Sequence, residues 1–108
     1  MTKPRFFDRK AQPIDWLRCV ELSAEPDYVT IAESGSQRYG YRVTTRWLGM
    51  AQANWLDPPL LFETVVTSNL TPPPDYRRRY ATEDEAFAGH YEAEEYAEKL
   101  IAKMTGAT

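Results

Sequence analysis

A chain of 108 residues, 43% hydrophobic and 27% charged, is expected to be a single soluble domain around one modest core. Its net charge of −3 is uneven: residues 83–104 carry seven acids against two lysines, the remainder eleven bases against nine acids, and this acidic C-terminal part argues against nucleic acid as a partner of the whole domain. The lone Cys19 excludes an internal disulfide framework. No stretch reaches the roughly 20 apolar residues of a membrane helix, and the proline-broken start MTKPRFFDRK does not read as a signal peptide, so a cytoplasmic protein without a membrane partner is expected.

The first pattern is QPIDWLRCVEL, residues 12–22. Pro13 suits the first position of a short helix, Trp16, Leu17 and Val20 share one side with Asp15 and Arg18 on the other, and Pro26 ends it. DYVTIAE, 27–33, alternates as a strand does, and SGSQRYG supplies a turn. YGYRVTTRWLG, 39–49, is the clearest strand, with Tyr39, Tyr41, Val43, Thr45 and Trp47 on one face and Arg42, Thr44 and Arg46 on the other. In LLFETVVTS, 60–68, Phe62, Thr64 and Val66 oppose Glu63, Val65 and Thr67.

The last element opens on a capping box, Thr82-Glu83-Asp84-Glu85, whose acids suit the positive end of a helix dipole. Ala86, Ala93, Tyr96, Ala97, Leu100, Ile101 and Met104 then form one side, and Lys99, Lys103 and Gly106 close the helix. The expected fold class is α+β: a short N-terminal helix, a three-stranded antiparallel sheet, and a long C-terminal amphipathic helix packed on that sheet.

His90 falls within the apolar stripe of the last helix and is expected to be a hydrogen-bonded structural residue. Without a second histidine, and with one cysteine, no zinc site is expected; nothing local supports a Cys19–His90 nucleophilic couple. The scattered glycines form no phosphate-cradling loop, so no cofactor is expected.

Two stretches remain as binding candidates. Tyr76, Arg77, Arg78, Arg79 and Tyr80 interleave aromatic and basic side chains, and Arg42 and Arg46 could extend that positive surface toward an anionic ligand or partner. The competing reading is that these arginines pair with the acids of the adjoining helix. Trp55 and Leu56, in the proline-closed loop GMAQANWLDPPLL, either cap the core or form a protein-binding tip.

RVTTRWLGM, PPLLFETVV and RRYATEDEAFAGH together resemble a widespread group of small uncharacterised proteins of tailed bacteriophages. The group's pattern is V-S-T-x-W-L-G-L, then P-P-L-x-F-E-T-M-V, then R-Y-x-T-x-x-E-A-x-x-G-H. FFDRKAQPIDWL also resembles that group's opening, and the likeness runs over residues 6 to 90. It departs after Gly49, where the group has Asp-His and a glycine-rich turn and this chain has Met50 to Trp55, and again in a helix that runs further past His90.

The resemblance implies a setting, phage infection of a bacterium, and no activity. It makes Phe62-Glu63-Thr64 and Gly89-His90 a recurring package, in which Glu63 and His90 are expected to meet as a polar core across the helix–sheet interface.

With no set of nucleophile, base and orienting residue, the leading expectation is a non-enzymatic binding protein acting on a host protein, as in counter-defence. Sequestration of a small anionic ligand, such as a nucleotide signal, through the Arg/Tyr cluster is the alternative. A structural phage component is another, and self-association through a sheet edge stays open.

Overall fold

Asp15 starts the first helix: its carboxylate accepts the backbone N–H of Arg18 at 2.8 Å, satisfying a donor that the first turn leaves open. In the computed structural model, which describes residues 4–51, 58–69 and 73–106, this helix is α1 (Trp16–Ser23). Pro13 belongs instead to a two-residue strand, β2 (Pro13–Ile14), paired with β1 (Phe6–Phe7). Pro26 both follows the end of α1 and opens a single helical turn, α2 (Pro26–Val29), so the strand expected from residue 27 begins later, as β3 (Thr30–Ser36).

The main sheet has four antiparallel strands in the order β3, β4 (Tyr41–Trp47), β5 (Phe62–Ser68) and β6 (Tyr76–Tyr80). The fourth corrects the three-stranded expectation: YRRRY, read as a basic patch, is an edge strand. Its only apolar positions, Tyr76 and Tyr80, fall on the same face, and the arginines between them hide the alternation. At the other edge, β3 shifts register between Thr30 and Ala32.

The long helix α3 (Glu83–Thr105) crosses one face of this sheet. Thr82 caps it by accepting the Glu85 N–H at 3.2 Å, while the Thr82 hydroxyl donates to Glu85 Oε1 at 3.0 Å; Gly106 closes it in the left-handed conformation. Ala86, Gly89, His90, Ala93, Ala97 and Ile101 are buried, whereas Met104, expected in the same stripe, is exposed. Gly89 makes room for the Tyr80 ring. A Cβ there would lie 2.2 Å from the Tyr80 ring and hydroxyl, so a larger residue would force that ring out of its place against α3.

Between helix and sheet the core has layers set by strand register. Trp47 pairs with Phe62, Thr45 with Thr64, and Val43 with Val66. Trp47 and Phe62 pack with Cys19, Leu22, Leu61 and Ala86; Val43 and Val66 pack with Tyr76, Ala93 and Ala97. The threonine row lies between these two apolar clusters.

The N-terminal hairpin is laced to the end of β4. Trp47 Nε1 donates to the Phe7 carbonyl at 3.0 Å, Phe7 N–H to the Gly49 carbonyl at 2.9 Å, and Ala51 N–H to the Arg5 carbonyl at 2.8 Å. Arg9 then clasps the start of α3, with Nη2 2.7 Å from Glu83 Oε1 and Nη1 donating to the Tyr28 carbonyl. Tyr28 meets Trp47 edge-on at 5.0 Å.

Candidate functional site

Because side chains alternate along a strand, β4, β5 and β6 each send their odd and even residues to different chemistry. On the helix-covered face, His90 is buried. Its Nδ1 lies 2.7 Å from Thr45 Oγ1, its Nε2 2.9 Å from Ser34 Oγ, and Thr45 Oγ1 is 2.5 Å from Thr64 Oγ1. Either neutral tautomer completes the chain Ser34–His90–Thr45–Thr64, because every hydroxyl can donate one way and accept the other. Burial lowers the His90 pKa from its ordinary value, opposed by Glu94, whose Oε2 is 3.8 Å from Nε2. The ring is therefore a neutral structural joint, with both nitrogens occupied.

The expected partner of His90 is corrected here. Glu63 lies on the opposite face, and the residue of Phe62-Glu63-Thr64 that reaches the imidazole, through Thr45, is Thr64. Cys19 is buried among the Trp47–Phe62 cluster, where its thiol donates to the Gly49 carbonyl at 3.8 Å. Among the described residues no group of three or more His, Cys, Asp or Glu side chains converges as metal ligands would.

Among the described residues the other face carries no helix. It presents Arg42 and Arg46 from β4, Glu63 and Val65 from β5, Arg77 and Arg79 from β6, and Glu33 from β3. Glu63 Oε2 accepts from Arg79 Nε at 3.0 Å and Arg77 Nη1 at 3.2 Å; Arg42 Nη1 and Glu33 Oε1 are 2.6 Å apart. Arg46 enters no ion pair among the described residues. Arg77 and Arg79 thus pair with Glu63 rather than with the acids of α3, as the competing reading held, because strand alternation turns them, with Arg42 and Arg46, away from that helix. Four arginines against two glutamates leave the open face positive, behind a helix whose exposed side is acidic.

The same alternation divides the Arg/Tyr cluster. Tyr76 and Tyr80 point to the helix side, where Tyr76 stacks on Tyr96 with centroids 4.7 Å apart and burial pushes its phenol pKa up. Arg78 goes with them: its guanidinium lies 4.6 Å from the Tyr76 ring centroid and donates to the Arg77 carbonyl at 3.0 Å. The open face therefore offers charge without a stacking ring. Arg42 also lines a wide-mouthed depression of about 550 Å³ at the β3–β4 hairpin tip, with Gly35, Thr67 and Asn69.

Comparison with family models, curated proteins and solved structures returned no match.

One surface escaped the sequence reading. Trp16, Leu17 and Val20 share one side of α1, yet it is Cys19 and Leu22 that are buried, and the larger residues stand 63%, 61% and 45% exposed. Hydrophobicity alone would favour burial of the larger residues, and nothing in the local pattern marks Cys19 and Leu22 as the anchoring pair. Trp55 and Leu56, the expected protein-binding tip, lie outside the described residues.

Proposed function

We propose that this protein is a small non-enzymatic binding protein that docks onto a host protein inside an infected bacterium, in a counter-defence role. The observation that carries this reading is the apolar side of α1. A helix that buries only a cysteine and a leucine while leaving Trp16, Leu17 and Val20 in water forgoes about 1.5–3 kcal/mol of burial for each large side chain. Contiguous apolar surface of this kind marks contact sites, and tryptophan is the residue most enriched among interface hot spots. The resemblance to tailed-phage proteins supplies the setting. A histidine with both ring nitrogens engaged, remote in its bonding from the lone cysteine, supports a non-enzymatic role.

The test is affinity capture from infected cells with the wild-type chain and a Trp16→Ser/Leu17→Ser variant, compared by quantitative mass spectrometry. A protein retained by the wild type and lost by an equally stable variant is the expected result. Identical capture by both overturns the reading.

A further inference from the structure

We propose that the open face of the sheet is a second docking surface, for an acidic protein segment, independent of the α1 contact. Strand register places Arg46, Glu63 and Arg79 in one row across β4, β5 and β6, with Arg77 in the adjoining row of the same face. The Glu63 side chain is only 13% exposed and binds Arg79 through Nε and Arg77 through one terminal nitrogen. Each guanidinium carries five N–H donors, so these bonds fix two of the forks in place while leaving N–H groups of both for an incoming acid. Arg46, on the other side of Glu63, adds a third. Three arginines placed by register about one glutamate leave two positive charges without a counter-ion among the described residues.

Guanidinium forks suit carboxylates and phosphates alike, and the rest of the face decides between them. Among the described residues no aromatic ring stands on it for base stacking, and Glu33 and Glu63 on the same surface oppose a continuous phosphodiester chain. A protein segment brings discrete carboxylates that meet the arginines and leave the glutamates uncrowded. Arg46 and Arg79 start two strands apart, about 9.5 Å, which matches the roughly 10 Å width of a helix with acids on both flanks.

The probe is a fluorescently labelled glutamate-rich helical peptide of about 20 residues, followed by anisotropy at low salt, with an oligothymidylate of about 15 nucleotides and a nucleoside triphosphate alongside. The acidic peptide is expected to bind best. Arg46→Glu, which touches no ion pair among the described residues, should weaken it about tenfold. Arg77→Gln/Arg79→Gln, which leaves Glu63 unpaired but not repelled, should do likewise.

Arg38→Glu at the hairpin tip and Trp16→Ser should leave peptide affinity within about twofold. Trp16→Ser separates this surface from the α1 contact, because an equal loss there assigns the binding to α1 and overturns the present inference alone. Unchanged affinity in Arg46→Glu, absence of peptide binding, or tighter binding of either nucleotide probe also overturns it.

Discussion

The two faces of one sheet differ more than any two segments of the chain. Glu63 and Thr64 are adjacent, yet one sits among arginines on a face without a helix and the other closes a buried line of hydroxyls ending on His90. Burial by α3 makes every polar atom on its side need a partner, and the threonine row provides one for the imidazole. Among the described residues no helix covers the opposite face, so ion pairs there remain weak and rearrangeable, which suits a surface meant to exchange internal partners for external ones.

Placing the same residue on either face should expose this difference. Thr64→Glu puts an unpaired charge beneath α3 and is expected to cost at least about 3–5 kcal/mol, read as loss of cooperative unfolding in circular dichroism. Native-like melting of that variant would break the distinction.

A smaller loss, about 1–3 kcal/mol, is expected for His90→Leu, which leaves Ser34 and Thr45 without the ring. The pH dependence sharpens the test. Since the folded His90 pKa is lowered, its contribution is complete above the ordinary histidine pKa of about 6.5. It fades as pH falls from there toward the folded value, because the unfolded chain takes up the proton first. Urea midpoints should fall over that range in the wild type and by less in His90→Leu; parallel curves would count against a buried neutral ring.

The smallest effect belongs to Val65→Glu. It faces outward opposite Arg77, and the change should move stability by no more than about 0.5 kcal/mol. A chemical-denaturation difference several times larger would show that the open face is packed more tightly than its ion pairs suggest.

Much of this division was legible in the sequence. Strict alternation gave both faces of the Tyr41–Trp47 and Phe62–Ser68 strands, and the capping box with Gly106 gave both ends of the terminal helix. The Tyr76–Tyr80 strand was not legible, because three consecutive arginines carry no period-two contrast and only pairing with its neighbour reveals which of them share a side.

The site was readable only as a list. Arg42, Arg46, Arg77 and Arg79 converge, while Arg78, Tyr76 and Tyr80 separate from them, and that sorting depends on strand parity. The first helix has a different limit: local hydrophobicity reports what would profit from burial, and the rest of the fold decides which side receives it. The Glu63–His90 pairing failed by one position, the smallest displacement that changes the face of a strand.

The two borders of the sheet carry a consequence for the protein in concentrated solution. One border breaks step between Thr30 and Ala32, and along the other the Arg78 guanidinium lies over a backbone carbonyl between two further cations. An incoming strand would meet a kinked template at one end and a row of like charges at the other, so neither margin invites ribbon growth from molecule to molecule.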